Sequence, residues 1–381
     1  MNNSWYFILP GTLLVLASAL PVTSYAEITL LKADPQKDDL LSRLNFQVGG
    51  SIRPQLNHMT SGKGKNYKRN VFDGGTRFRF TADYRLTNDL TWTNYYELGV
   101  NIPALLDWSG HYAENDKNTT RRMMYTGIRS KEWGELTFGQ RNSIYYDVIG
   151  SKTDIWDYDM LGQAPGNGIN GDYDGSYRPR KQLRYQNRIG NVELYAAYLF
   201  ADSSYQPGNG LRYKRRGGGS LGFNYQLTPD LSWAMAWNYT KAQMRNPQPH
   251  QSKNYNQNLL GTAFSWHPGH WVLAAGGGWY QNFEPSQNID VKRYFAGDAW
   301  GVEYYAGYNI PVQRYALQSV QPYFMGDRMQ FVTGRNYQRT DNGLGVAFNL
   351  DYGFRVDYEY VLTSSTDHLG NMNVVRIYYN F

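Results

Sequence analysis

From about residue 43 onward, the apolar side chains of this chain recur at every second position. LSWAMAWNYT puts Leu231, Trp233, Met235, Trp237 and Tyr239 on one parity and Ser232, Ala234, Ala236, Asn238 and Thr240 on the other. FRVDYEYVL sets Phe354, Val356, Tyr358, Tyr360 and Leu362 against Arg355, Asp357 and Glu359, and VELYAAYLF and RFRFTADY behave alike. Successive side chains of a strand point to opposite faces, so the pattern demands strands with one apolar and one polar face. The last residues, NVVRIYYNF, keep to it: Val375, Ile377, Tyr379 and Phe381 share one face, Val374, Arg376, Tyr378 and Asn380 the other. Chain ends normally fray. A strand that is regular to its final residue is one that something else must pair.

Two architectures use such strands. A β-sandwich turns its apolar faces inward, whereas a membrane barrel turns them out to lipid and rims them with aromatic girdles. The chain carries 34 Tyr, 16 Phe and 11 Trp in 381 residues, and these recur near strand ends, which favours the barrel. After Val22 no stretch is long enough for a membrane helix, so a mature chain that enters a membrane does so as a closed barrel. The one long apolar segment, Trp5 to Val22, is followed by TSYAE, with small residues at Ser24 and Ala26. Residues 1–26 are therefore read as a secretory signal cleaved before Glu27. The absence of Lys or Arg from MNNSWYF departs from the usual pattern and leaves a membrane anchor as the alternative.

The connections give the strand count. Tight links at LTNDL, SKEWG, RIGN, LTPDL, HPGH, NIPVQRYAL and LDYG alternate with long polar links near 56–70, 102–120, 142–177, 202–214, 244–254, 284–296, 329–337 and 364–370. Short turns on one side and long loops on the other mark an outer-membrane barrel. The pattern predicts about sixteen antiparallel strands, an all-β transmembrane barrel over residues 43–381, and a periplasmic lead-in over 27–42. Both termini fall on the periplasmic side. RLNFQVGGSI, residues 43–52, is the expected partner of 373–381, because a barrel has no free edge.

Other classes are disfavoured. With no cysteine there is no disulfide framework, zinc-thiolate site or thiol catalysis. The net charge of +6 comes without a Lys/Arg run or an RNA-binding motif, so nucleic acid is not an expected partner. RRGGGSLG and AAGGGWY lack phosphate-loop spacing and read as small inward residues that leave room for a loop or a solute. The six histidines, His58, His111, His250, His267, His270 and His368, are expected in loops or turns, with no Ser/His/Asp arrangement and no HExxH motif; HPGH offers two histidines to a metal but reads as a turn. No enzyme, cofactor or metal is predicted.

Two segments resemble a known family. RRMMYTGIRSKEWGELTFGQRNSIYYDVIG, through Gly127, Ile128, Gly134, Leu136, Gly139, Arg141, Tyr146 and Asp147, is similar to the strand 4–turn–strand 5 region of the general porins of Gram-negative outer membranes. The terminal IYYNF resembles that family's assembly signal, carried here by Ile377, Tyr379 and Phe381. The resemblance implies a barrel, usually a homotrimer, that passes small hydrophilic solutes and ions. It also implies outer-membrane lipid, lipopolysaccharide and the barrel assembly machinery as partners. A long third loop would fold into the pore and set acids against arginines on the wall. The matching loop, about 142–177, carries Asp154, Asp157, Asp159, Asp172 and Asp174, although its tip lacks the family's usual sequence.

If the apolar parity faces lipid, the other lines the lumen. Phe78 and Phe80 outward put Arg77 and Arg79 inward; Leu136 and Phe138 outward put Arg141 inward; Leu183 and Tyr185 outward put Arg180 and Arg184 inward. Arg355 and Arg376 follow the same rule. A lipid-facing arginine at mid-bilayer costs roughly 2–4 kcal/mol, which forces this assignment. These arginines are candidates for a constriction wall; the plainer reading makes them solvated wall residues or loop anchors. The functional expectation is passive diffusion with a weak hint of anion preference. The alternatives are a substrate-specific channel, with inward Tyr95, Tyr195, Tyr280 and Tyr305 stacking on sugars, and a plugged structural or adhesion barrel.

Overall fold

The computed structural model describes residues 27–34, 36–37, 39–62, 70–106, 118–155, 171–247, 250–282, 291–292, 294–295 and 297–381. Sixteen antiparallel strands close into one barrel. β1 runs Leu44–Ile52 and resumes as Pro54–Met59, and β2 is Asn70–Asp73 followed by Arg77–Arg85. Then come β3 Leu90–Val100, β4 Thr119–Ser130, β5 Gly134–Gln140, β6 Gln182–Ile189 and β7 Val192–Leu199. The longest strands follow: β8 Arg212–Gln226, β9 Leu231–Asn246 and β10 Gln251–Trp266. β11 Trp271–Gln281, β12 Ala299–Tyr308, β13 Leu317–Phe331, β14 Gln338–Leu350, β15 Phe354–Ser365 and β16 Met372–Asn380 complete the ring. The tight links expected from sequence all join strands at one end.

Each strand pairs with its chain neighbours, and β16 returns to β1 with Val375 opposite Leu56 and Ile52 opposite Tyr379. The seam ends at Phe381, whose carbonyl accepts from Gly50 N at 2.7 Å and whose N–H donates to Gly50 O at 3.1 Å. Below that point β1 extends past the end of β16. There its edge pairs with Ile28–Leu31, Ile28 lying opposite Val48, so part of the expected lead-in covers a strand edge. Ile377 faces outward at 44% exposure, and the Tyr379 ring stacks between Phe354 (4.6 Å) and Phe381 (5.6 Å).

The outer face is the apolar parity. Leu344 is 66% exposed and Leu221 55%, and Trp92, Met124, Leu136, Phe138, Phe264 and Tyr358 are exposed on the same side. So broad an apolar face has no place in water and needs lipid around it. β5 to β7 hold only 7, 8 and 8 residues, against 15, 16 and 16 in β8 to β10. At about 3.3 Å per residue and a tilt of about 40°, eight residues rise only about 20 Å, a little short of the roughly 25 Å apolar band, whereas sixteen project well beyond it. One placement differs from expectation: His58 lies in the second segment of β1, opposite Asn373, because β1 continues past Pro54 before the first long loop begins.

Removing Phe381 leaves both Gly50 backbone groups unpaired and strips a ring from the seam. The expected cost is about 2–3 kcal/mol, read as a lower urea midpoint for protein refolded into lipid. An unchanged midpoint would contradict this account of closure.

Candidate pore constriction

The third long loop leaves β5 at Arg141 and turns into the barrel as a helical stretch, Tyr146–Gly150 followed by Ser151–Thr153. Ile144, Tyr145, Val148 and Ile149 are buried, packed with Ala234, Ala236, Leu259, Ala263 and Tyr280 of the inner wall. Small wall residues make the seat. A Cβ at Gly222 would lie 2.7 Å from Ile144 Cγ2, and one at Gly261 or Gly278 would lie 2.6 or 2.5 Å from the Tyr145 hydroxyl. The glycines read from sequence as room for a loop thus hold this one. Polar contacts fix it further: Thr153 Oγ1 donates to Glu303 Oε2 at 3.1 Å, Lys152 Nζ to Ser232 Oγ at 2.7 Å, and Ser143 Oγ to Ser176 O at 2.8 Å. Each buried aliphatic side chain contributes roughly 1.5–3 kcal/mol, so the loop is held by packing as much as by hydrogen bonds.

Opposite this seat stand the predicted arginines. Arg77 and Arg79 lie on β2, Arg77 Nε donating to Gly75 O at 3.0 Å, while Arg79 Nε is buried with no hydrogen-bond partner among the described residues. Beside them Arg122 Nε donates to Glu97 Oε1 at 2.6 Å and the Tyr95 hydroxyl donates to Glu97 Oε2 at 3.0 Å. Arg141 Nη1 donates to Glu135 and to Thr137 Oγ1 at 3.2 Å, with its guanidinium 4.7 Å above the Tyr125 ring. Arg184 Nη1 donates to Asp147 Oδ2 at 2.6 Å and to Asn142 O at 2.9 Å, joining β6 to the loop. Arg180 lies just ahead of β6 and donates to the Tyr173 hydroxyl at 3.1 Å, with Asp202 3.7 Å away. Arg355 pairs with Asp357 at 2.7 Å, and Arg376 donates to Gln55 and the Tyr378 hydroxyl.

The acids are distributed differently from the sequence reading. Asp154 accepts from the Tyr146 hydroxyl. Asp172 lies 4.0 Å from Arg178, and burial raises its carboxyl above the usual range against the pull of Arg178 and Arg180. Asp174 turns back into its own loop, Oδ1 accepting from Ser176 N at 2.8 Å. Asp157 and Asp159 lie outside the described residues. The acids in contact with Arg141 and Arg184 are instead Glu135 on the wall and Asp147 on the loop, while Asp202 lies by Arg180, Asp357 pairs with Arg355 and Glu97 is held by Arg122. Glu97 and Glu135 were accessible to the same parity rule, since Leu136 and Phe138 outward put Glu135 inward. Across the barrel, Glu303, Asp327, Asp341, Asp357 and Glu359 are buried on β12 to β15, with Glu303 opposite Asp327 and Asp327 opposite Asp341. Arg215, also overlooked, is fully buried and donates to Phe200 O, Tyr173 O and Arg180 O.

One histidine contact was not read from the sequence. Ser265 and His267 meet, Oγ to Nε2 at 2.8 Å, because both sit where β10 enters its tight turn.

A closed barrel, apolar outside, with a loop folded across a charged lumen, is a transmembrane channel. A model of the Gram-negative porin family matches residues 12–368, and the chain belongs to that family. Among solved structures it is similar to OmpF of Salmonella typhi in complex with daunomycin, with a TM-score of 0.66 and 15% identity over 89% of this chain and 98% of that one. It is also similar to the anion-selective porin of Comamonas acidovorans (0.59, 13%, 89% and 100%) and to a trimer form of Vibrio cholerae OmpT (0.59, 13%, 89% and 99%). At these identities the likeness is one of fold. No curated protein sequence matches the chain significantly. The protein is an outer-membrane channel for small solutes.

Gly261→Val places two methyl groups where the Tyr145 ring sits. It is expected to destabilise the protein by roughly 1–3 kcal/mol and to raise single-channel conductance as the loop leaves its seat. A variant with native conductance would contradict the seating.

Proposed function

We propose that the channel passes small hydrophilic solutes and ions by passive diffusion, prefers anions, and catalyses no reaction. One observation carries the preference: in the ion pairs of Glu97 and Glu135 the acid is the more buried partner, although in the loop pair the order reverses, with Arg184 2% and Asp147 27% exposed. The Glu97 side chain is 3% exposed against 18% for Arg122, and that of Glu135 is 9% against 15% for Arg141 and 47% for Arg129. At Glu97 and Glu135 water in the lumen therefore meets the positive member of the pair, and a field of one sign at a narrow point raises the local concentration of the opposite ion. Arg77, Arg79, Arg141 and Arg184 are read as the constriction wall, with Arg180 behind them on the returning limb of the loop. Asp147 joins the loop acids Asp154, Asp172 and Asp174.

The wider assembly is read in the same way. Residues 1–26 would direct secretion, the barrel assembly machinery would fold residues 43–381 with Ile377, Tyr379 and Phe381 as its signal, and lipid and lipopolysaccharide would surround it. A homotrimer is the proposed state, as in the trimer form of Vibrio cholerae OmpT. A sugar-stacking channel is less well supported. Tyr280 and Tyr305 are 0% and 4% exposed, Tyr280 against Tyr145 and Tyr305 stacked on Tyr323 at 5.1 Å, so neither offers a free face. Tyr95 likewise stacks on Tyr125, and Tyr195 lies beneath the Arg184 guanidinium.

The test is a reversal potential in a planar bilayer under a tenfold KCl gradient. Chloride selectivity is expected, weakened in Arg141→Gln; cation selectivity would overturn the proposal. Lys152 gives a second signature. Burial lowers its ammonium to about 8, with Glu193 opposing the shift, so it is charged at pH 7 and neutral by pH 9. Chloride selectivity should fall across that interval in the native protein, and Lys152→Met should lose the step; equal pH profiles for the two would contradict it.

A further inference from the structure

Below the loop, on the turn side of the barrel, the inner wall of β4 to β7 carries an open-mouthed polar cleft of about 220 Å³, bordered by Arg129, Glu135, Gln186, Arg188, Glu193 and Tyr195. It is separate from the loop seat on β8 to β11. At about 30 Å³ per water it has room for roughly seven waters, or for one compact organic molecule.

Its hydrogen-bonding capacity is lopsided. Both acids are committed: Glu135 accepts from Arg141 and Arg129, while Glu193 accepts from Arg188 on one oxygen and from the Tyr195 hydroxyl (2.9 Å) and Asn224 Nδ2 (3.3 Å) on the other. The donors are not. Arg188 spends Nε and Nη2 on Glu193 and keeps Nη1, and its side chain is 48% exposed. Gln186 accepts from Arg141 and Arg184 through its carbonyl, at 3.2 and 3.1 Å, which leaves its amide nitrogen to donate. Arg129 donates to Glu135, Asp83 and Thr93, but its side chain is 47% exposed and its charge reaches the cleft. Lys152, on the loop, stands near enough to Glu193 for their charges to interact. A site whose acceptors are used and whose cationic donors are in part unused favours a ligand rich in acceptors and negative in charge.

We propose that this cleft is a binding subsite for compact carboxylate solutes on the turn side of the constriction. Gln186 connects the two places, since its carbonyl holds Arg141 and Arg184 while its amide faces the ligand. A carboxylate leaving the constriction arginines meets a second set of donors before it reaches bulk water. The inference rests on the channel reading, and the experiment separates the two.

Purified protein in a planar bilayer carries KCl current while succinate, or its neutral analogue succinamide, is added on the turn side. Succinate is expected to reduce the current at concentrations at least tenfold below those of succinamide, and Arg188→Ala to raise the half-blocking succinate concentration about tenfold. Equal block by the two probes, or succinate block that Arg188→Ala leaves unchanged, overturns the subsite while leaving the channel intact. The comparison of probes on the native protein decides the matter even if the variant does not fold. Absence of KCl current would instead overturn the channel reading and the subsite with it.

Discussion

A backbone that crosses hydrocarbon has no water to bond with, so every N–H and C=O in the crossing must be paired within the protein. In this chain the pairing is completed only where β16 meets β1, and the last bonds of the seam are those between Phe381 and Gly50. Much else follows from that closure. It fixes which parity meets lipid, and so sends Arg77, Arg79, Glu97, Glu135 and Arg184 inward together. The polar residues are not placed inside by attraction to one another; lipid excludes them, and the lumen is where they can keep water and partners.

Once inside, they need counter-charges, and the barrel supplies most of them from its own wall. Glu97 and Glu135 neutralise neighbouring arginines over one or two strands, and buried acids gather on β12 to β15. The third loop adds Asp147 but is held mainly by shape. Gly222, Gly261 and Gly278, with Ala234, Ala236 and Ala263, form a shallow recess that Ile144 and Tyr145 fill. Electrostatics and packing therefore have separate supports: the constriction arginines lie on β2 to β6, the buried acids on β12 to β15 and the apolar seat on β8 to β11, and the loop spans between wall and seat. Tyr280 belongs to the seat rather than to the passage, which is why its inward direction does not make it a stacking surface.

Strand identity, strand order and side-chain direction were legible in the sequence, because a two-residue period and alternating link lengths are local properties. Leu136 and Phe138 suffice to orient Glu135, and the glycines around residues 215–222 and 274–280 already marked a place for something bulky. What sequence did not yield was which charges meet. The pairing of Arg184 with Asp147 depends on how far the loop bends back over the wall, a distance of many residues along the chain. The loop acids were overweighted for the same reason: Asp174 turns its carboxylate to its own backbone, a choice made by local turn geometry. The Ser265–His267 contact and the strand position of His58 arise from where strands end, which a period-2 pattern marks poorly.

The constriction depends above all on the third loop lying inside the barrel against β8 to β11. The chain has no cysteine, so a designed pair reports without interference. A Cβ at Gly222 would sit 2.7 Å from Ile144 Cγ2. The Ile144 Cβ is one bond farther back, within the roughly 3.5–4.5 Å that a disulfide tolerates. The measurement is single-channel conductance of Ile144→Cys/Gly222→Cys before and after oxidation, with cross-linking read by loss of free thiol. The account predicts complete disulfide formation and a conductance that oxidation leaves unchanged. Two thiols that stay free and open to modification would place the loop elsewhere and contradict it.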